Sequence, residues 1–514
     1  MAKKPFFITT PIYYPSGNPH IGHCYTTVAC DAVARYRRMQ GYDVLFLTGT
    51  DEHGLKIEQK ARAAGMEPQA YVDGMTERFR KLWDVLNIRY DRFVRTTDDY
   101  HVRTVQAVFQ KLYDRGYIYK GQYVGKYCTP CESFWTPKQL VDGKCPDCGR
   151  EVTDAREEAY FFKLSAFTDI VGKLLEGGMF LQPNSRAKEL IGNFIKPGLE
   201  DVCVSRTGVT WGVPVPFDPK HTVYVWFDAL LNYISALGYE NGAFEDFQCF
   251  WPADVHFVAK DIMRFHAILW SAVLTALGLP LPKRLAVHGW ITVGGEKMSK
   301  SRGNVIDPYV LTERYGTDAV RYFLLREMIL ENDSAFSEDI LAKRVNADLA
   351  NGIGNLVART VAMVEKYFGG ILPVEREAAP VDEPLMQSAL ALRGKTDAAV
   401  DAFRLNEALA AIFEVISFAD KYVDETAPWV LAKDPVKKAR LATVLYNLLE
   451  TLRIASGLLV PFMPTMMPKI WEQIGATEED VAYGRLNQWG ILKSQATVHK
   501  GGILFPKAET KEQE

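Results

Sequence analysis

Residues 4–23 read KPFFITTPIYYPSGNPHIGH, and the change of texture inside this stretch decides how the rest of the chain is parsed. The apolar run at 4–12, rich in Phe, Ile and Thr, predicts a strand, and the pattern from about His20 to Gln40 predicts a helix. Pro19 suits the entry to that helix. A helix that starts directly after a strand offers unpaired N–H groups and the positive end of its dipole, so an anion, phosphate above all, is its natural ligand. Gly22 lets such a ligand lie against the backbone, and His20 and His23, three apart, face one side of the first turn. One surface histidine and one packed histidine at a helix start is the alternative reading of the same residues.

The alternation continues downstream. YDVLFLTGTD (42–51) predicts a strand, helical patterns run on through Leu86, RFVRTTD (92–98) predicts a third strand, and a helix covers about Tyr100 to Arg115. Strands separated by helices imply a parallel sheet with crossover connections. At Tyr117 the composition turns to Tyr, Gly, Cys and Pro with short strands, and irregular structure continues to about Pro219. The alternating pattern then resumes with a helix near WFDALLNYISAL (226–237), a strand DVHFVAKDI (254–262), a helix MRFHAILWSAVLTAL (263–277) and a strand RLAVHGWITV (284–293). From about Ser337 strand signals vanish and long helical patterns run to about Ile474, broken by the Pro- and Glu-rich GGILPVEREAAPVDEP (369–384). The expected fold is α/β: a Rossmann-type doubly wound parallel sheet (1–116 and 220–336) interrupted by an insertion (117–219), followed by an all-α helical bundle (337–514). The terminal KAETKEQE reads as a frayed tail.

The chain has 514 residues, 48% hydrophobic and 24% charged, with a formal net charge of -3. These are globular values, with room for about three domains. The charge excludes a uniformly basic coat but leaves a local basic stripe for nucleic acid open. No signal peptide and no apolar run of membrane-spanning length is present, so a cytoplasmic protein without a membrane partner is expected. Of the 8 cysteines, Cys128, Cys131, Cys145 and Cys148 form C-x2-C-x13-C-x2-C. Two close thiolate pairs suit tetrahedral zinc, and four protein ligands leave no open position, which makes the expected site structural, with one Zn2+ per chain. A reduced, metal-free knuckle is the alternative.

GGEKMSKSRGN (294–304) follows the last predicted strand. Its glycines, lysines and serines suit a cationic loop that closes on a polyphosphate, and a solvated surface loop is the alternative. Taken together, PHIGH after the first strand and KMSKS after the last resemble the two signatures of class I aminoacyl-tRNA synthetases. The resemblance implies a fold and a chemistry: the amino acid carboxylate attacks the α-phosphate of ATP, supplied with Mg2+, and catalysis comes from positioning and charge stabilisation. It assigns His20, His23, Lys297 and Lys300 to that stabilisation. It assigns Gly22, Asp261, His288, Gly289, Trp290, Met298, Ser299 and Ser301 to ATP binding, with Asp261 on the ribose hydroxyls.

Within the class, PIYYPSGNPHIGH, GTDEHG, the four-cysteine knuckle, VYVWFDAL, KDIMRFH, HGW and ETAPW resemble the methionyl-tRNA synthetase family, over nearly the full chain. The insertion is too short for the editing domain of isoleucyl, valyl and leucyl enzymes. The implied substrates are L-methionine, ATP and tRNA(Met). Asp51 is implied to pair with the substrate ammonium, and Ile12, Tyr14, Trp226, Ala229, Tyr233, Ile262 and His266 to line a pocket whose aromatic and aliphatic character suits a thioether. Asn355, Arg359 and Trp429 are implied to read the CAU anticodon by hydrogen bonding and stacking, an intrahelical polar pair and a half-buried Trp being the alternative. Some relatives dimerise through an appended oligonucleotide-binding domain; this chain ends soon after its bundle, so a monomer is expected. Two other classes share features with it. Small nucleotidyltransferases have an HxGH turn but neither knuckle nor bundle, and an RNA-binding descendant of a synthetase would need decayed signatures, whereas both stand intact.

Overall fold

Phe6 to Thr9 are buried on both faces of the first strand, β1 (Pro5–Thr9), so the strand must lie inside a sheet covered on two sides. The computed structural model describes residues 3–135, 139–297, 306–327, 329–493 and 496–509. After β1 the chain runs through α1 (Ile21–Met39), β2 (Asp43–Thr50), α2 (Leu55–Ala63), α3 (Pro68–Val85), β3 (Arg92–Arg95) and α4 (Asp99–Asp114). β2 is buried at every position after Asp43, which is why its sequence shows a continuous apolar run and no polar alternation. Three further strands complete the sheet: β4 (Leu181–Gln182), β5 (Val255–Ala259) and β6 (Leu285–His288), with α5 (Val225–Leu230) preceding β5.

All pairings in this sheet are parallel and its order is β3-β2-β1-β5-β6-β4. Ile8 of β1 sits between Phe46 and Val255. The chain builds outward from β1 to β3 in one direction, then returns to the far side of β1 with β5 and β6. The reversal between β1 and β5 opens a crevice at the carboxyl ends of the strands, the usual ligand position in such sheets.

Residues 117–219 are built around a long antiparallel pair, Ile118–Cys128 against Thr153–Phe162, extended by Ser133–Trp135 and Val202–Cys203 on its two edges. This stretch also supplies β4 to the parallel sheet, through Leu181 beside Leu285. The strand expected over 284–293 is two strands. β6 stops at His288, whose carbonyl accepts the Lys260 N–H at 2.9 Å, and Ile291–Val293 joins a separate small sheet with Ser334–Phe336 and Glu296–Lys297. An apolar run carries no mark for a change of sheet. The helix expected over 226–237 likewise splits, into α5 and the turn Asn232–Ser235, and the run from Phe265 to Trp270 winds as π-helix before Ser271–Leu277.

The molecule forms two units. Met1–Cys30, Tyr42–Trp83 and Arg89–Trp290 make the first, and Asp31–Gly41, Asp84–Ile88 and Ile291–Glu514 the second. The second is built largely from helices: α6 (Thr317–Glu327), α7 (Asn355–Phe368), α8 (Asp382–Asp401), α9 (Leu405–Thr426) and α10 (Lys438–Leu459). α10 is its axis, buried almost throughout, and its buried charges are matched. Glu450 and Arg453, both fully buried, pair at 2.8 Å, while the Glu450 carboxylate also accepts the N–H groups of Gly490 and Leu492. Among the described residues no helix is long and apolar enough to cross a membrane.

Arg321 of α6 is fully buried and spends its guanidinium on Asp31, 2.7 Å away, and on the carbonyls of Leu86, Pro461 and Phe462. Removing Arg321 leaves three buried carbonyls unserved and takes from Asp31 one of its cations, with Arg35 remaining 2.8 Å away; breaking a buried pair in this way costs about 3–5 kcal/mol. We therefore expect Arg321→Met to lower the melting temperature of the second unit sharply, whereas Arg404→Met, at an exposed ion pair, leaves it unchanged within error. Calorimetry on the two variants makes the comparison.

Candidate active site

The loop after β1 and the first turn of α1 fix the two histidines through their own backbone. The His20 N–H donates to Nδ1 of His23 at 3.0 Å, and the Gly22 N–H donates to Nδ1 of His20 at 3.2 Å. A ring nitrogen that accepts from an N–H carries no proton, so each neutral imidazole holds its proton on Nε2. The two rings lie 3.9 Å apart between centroids, and His23 is braced edge-on by Tyr13 and Phe79. Tyr13 is locked in turn by a 2.6 Å hydrogen bond to Thr27. Both histidines are half-buried.

The other segments of the site leave the ends of β2, β5 and β6 in the same unit. His288 donates from Nδ1 to the Gly289 carbonyl at 2.7 Å and accepts at Nε2 from the Thr26 hydroxyl of α1 at 2.8 Å. Burial lowers its pKa against the opposing pull of that carbonyl and of Asp261. Lys260 lies over the Trp290 ring at 3.8 Å. Gly22, His288, Gly289, Trp290 and Asp261 therefore gather about the start of α1 and the ends of β5 and β6. Met298, Ser299, Lys300 and Ser301 lie outside the described residues, and Lys297 closes the short strand Glu296–Lys297 of the second unit.

Asp51 follows β2 and is 7% exposed. Among the described residues its Oδ1 has no hydrogen-bond partner. Burial, then the charges of Asp228, Glu132 and Glu52, push its carboxyl well above the usual range, with Lys56 opposing. Asp228 is as deeply buried but behaves oppositely. Burial alone would raise it; His53 at 2.7 Å and His101 at 2.9 Å outweigh burial and hold it at about 2. Glu52 is served by Thr50, Thr76, Thr97 and Arg95.

The pocket-lining candidates converge as well. Ile262 offers its carbonyl to Nδ1 of His266 at 2.9 Å, so Nε2 of His266 accepts from the Tyr233 hydroxyl at 2.7 Å. Trp226 stacks on Phe265 at 4.0 Å, nearly parallel. Ile12, Trp226 and Ile262 pack on the same apolar cluster as Tyr233, Ala229 lies one turn beyond Trp226 on α5, and the charge of Asp51 reaches the Tyr14 phenol. In the knuckle the four sulfurs of Cys128, Cys131, Cys145 and Cys148 all lie within 4.8 Å of one another, with Cys128 and Cys148 3.6 Å apart. Sulfurs at the corners of a zinc tetrahedron, with Zn–S of about 2.3 Å, are about 3.8 Å apart, so this donor set fits the ion. A second cluster, Glu158, Asp218 and His221, already has its cation: Lys120 sits 2.7 Å from Glu158 and 3.0 Å from Asp218.

In the second unit Asn355 is exposed at the start of α7, and Arg359 one turn later faces Asp420 and Asp424 of α9 at 3.9 and 3.6 Å. Five residues beyond Asp424, past Ala427 in left-handed backbone and Pro428, Trp429 is 43% exposed. Arg359 and Trp429 thus belong to one end of the α7–α9 pair.

The family description "tRNA synthetases class I (M)" matches residues 6–158 and 151–361, and "Anticodon-binding domain of tRNA ligase" matches 387–497. A methionine–tRNA ligase of Caldanaerobacter subterraneus subsp. tengcongensis is 56% identical over 512 residues, covering 99% of this chain and 80% of that one. The chain belongs to the methionyl-tRNA synthetases. The Clostridium perfringens member is 54% identical over 100% of this chain and 79% of its own. Among solved structures, the Mycobacterium tuberculosis methionyl-tRNA synthetase in complex with methionyl-adenylate superposes with a TM-score of 0.94 at 40% identity, covering 98% of this chain and 100% of that one.

Sequence reading passed over Asp228, His53, His101 and Glu132. Asp228 alone had a signal: an acid inside the apolar run YVWFDALL must be paired, and only the fold shows with what. The pocket carries its own pH signature. Burial lowers the His266 pKa from 6.5 to about 4, against the Ile262 carbonyl, which raises it. Stability from a histidine held neutral is complete above the unfolded value and is lost as pH falls from about 6.5 toward 4. Between pH 7 and 4.5 the parent should lose about 2–3 kcal/mol more than His266→Gln, read from denaturant melts at the two pH values.

Proposed function

We propose that the chain activates L-methionine with Mg-ATP to methionyl-adenylate, releasing pyrophosphate, and transfers the methionyl group to the 3′ end of tRNA(Met), releasing AMP. The observation that carries the substrate reading is Asp51: a buried carboxylate oxygen without a donor, at the carboxyl end of the sheet, demands a cation, and an ammonium supplies both charge and hydrogen bond. The apolar and aromatic side chains around Tyr233 and His266 leave the rest of the substrate an uncharged, polarizable neighbour, which a thioether satisfies.

In this reading the Nε2–H groups of His20 and His23 donate to phosphoryl oxygens as the substrate carboxylate attacks the α-phosphate, and the N-terminal amides of α1 add their dipole. Gly22 keeps the backbone open to the nucleotide. Lys297 and Lys300 neutralise the charge that builds on the phosphates, Asp261 takes the ribose hydroxyls, and His288, Gly289, Trp290, Met298, Ser299 and Ser301 complete the nucleotide's surroundings. No protein nucleophile is needed, since the substrate carboxylate is the nucleophile. Zinc held by Cys128, Cys131, Cys145 and Cys148 supplies a structural cross-link. Asn355, Arg359 and Trp429 take the anticodon bases, Trp429 by stacking.

The test is pyrophosphate exchange into ATP with each of the twenty amino acids in turn. Exchange should depend on methionine; exchange driven only by another amino acid overturns the reading. Asp51→Asn, which keeps the shape and removes the charge, should cut kcat/KM for methionine roughly a hundredfold, about 3 kcal/mol. A second measurement separates the two units. Trp429→Ala loses a stacking contact of about 1–3 kcal/mol, so the KM for tRNA should rise and discrimination for the CAU anticodon weaken while methionine-dependent exchange stays at the parent rate. Unchanged charging by the folded variant would sink the anticodon assignment alone.

A further inference from the structure

Glu132 follows directly on the knuckle ligand Cys131, and its carboxylate reaches the backbone of Gly54 and Lys56. It is 4% exposed. Its Oε1 accepts the Lys56 N–H at 3.0 Å, an amide at the start of α2, where the N-terminal capping position is Gly54, a residue with no side chain to cap with. A helix start leaves its first amides unserved, and a carboxylate there meets both the free N–H and the positive end of the dipole. Glu132 therefore caps α2 from a segment 76 residues away in sequence.

The same carboxylate lies beside the Tyr14 phenol, whose hydroxyl donates to the His53 carbonyl at 3.1 Å and whose pKa is pushed up by burial and then by the Glu132 charge. Lys56 in turn sits over the Tyr14 ring, 5.1 Å from its centroid. The approach is close enough to dictate the residue opposite. A Cβ built on Gly54 would stand 2.6 Å from Glu132 Oε1 and 2.8 Å from the Tyr14 oxygen, and Gly54 has a φ of +109°. The backbone on either side of Glu132 is held as well: its own carbonyl accepts from the buried Tyr224 hydroxyl, and the Cys131 carbonyl accepts from the Trp226 indole at 3.4 Å.

We propose that Glu132 is a positioning residue for amino acid binding: by capping α2 beside Tyr14, it sets the Asp51–Gly54 loop and one wall of the pocket, so that the knuckle end holds the amino acid side of the crevice and leaves the nucleotide side untouched. The inference rests on the methionine reading above. Among the described residues Glu132 makes no hydrogen bond to His20, His23 or His288, which are held by α1, β5 and β6, so a defect here should fall on the amino acid and not on ATP.

The experiment varies methionine and ATP separately in pyrophosphate exchange, with zinc content and melting temperature measured on the same preparations. The parent protein is the control for the reading itself; if it shows no methionine-dependent exchange, that reading fails before Glu132 is tested. Given exchange by the parent, Glu132→Ala should raise the KM for methionine at least tenfold with the KM for ATP within twofold, and with zinc per chain equal to the parent's. Glu132→Gln, which can still cap Lys56 but without the charge that favours the helix start, should fall between. A methionine KM unchanged in both variants overturns the proposal. So does a parallel rise in both KM values or a loss of zinc with activity, either of which makes Glu132 a support for the fold at large. Glu132→Gln is isosteric and serves as the deciding variant if Glu132→Ala does not fold.

Discussion

Four carboxylates, Asp51, Glu52, Asp228 and Glu132, lie within the same water-poor crevice, and the need to compensate them organises much of what surrounds it. A buried charge without partners costs more than a fold can sustain, so each must be matched or must titrate. Three are matched by the protein: Glu52 by hydroxyls and Arg95, Asp228 by two imidazoles, Glu132 by an amide at a helix start. Each match ties segments far apart in sequence. Asp228 alone joins the loop after β2, helix α4 and helix α5. Asp51 is the exception, and a preorganised acceptor left over in such company is what a cation-binding site requires.

The sheet was legible because its strands are buried on both faces, and burial on both faces writes an uninterrupted apolar run into the sequence. β1, β2, β5 and the helices between them follow that pattern. What periodicity could not show was a change of partner within a run. RLAVHGWITV stays apolar through Gly289 and Trp290 while the chain leaves one sheet and enters another. β4 was invisible for a different reason: two residues, Leu181 and Gln182, carry no pattern, and only their register beside Leu285 and Ala286 makes them a strand.

The candidate site divides the same way. The cysteines announce themselves by spacing, because metal geometry fixes how far apart thiolates can sit, and the histidines of PHIGH announce themselves by their place after a strand. Asp228, His53, His101 and Glu132 do not, since their meaning lies in pairings 76 to 175 residues long. An isolated acid in an apolar helix signals that a partner exists without naming it.

The tautomers of His20 and His23 bear on why imidazole stands at these two positions. Each ring works as a rigid strut with different chemistry at its ends: a lone pair near the backbone takes an amide of the turn, and the opposite edge carries a hydrogen outward. Asparagine reaches about as far as the near nitrogen and glutamine about as far as the distant one, so either amide reproduces one end of the strut and forfeits the other. Lysine and arginine carry hydrogens at the far end but no lone pair with which to fasten themselves to the turn. The anchoring of the turn and the orientation of its outward donors are thus the same covalent object, and neither can be adjusted by substitution without disturbing the other.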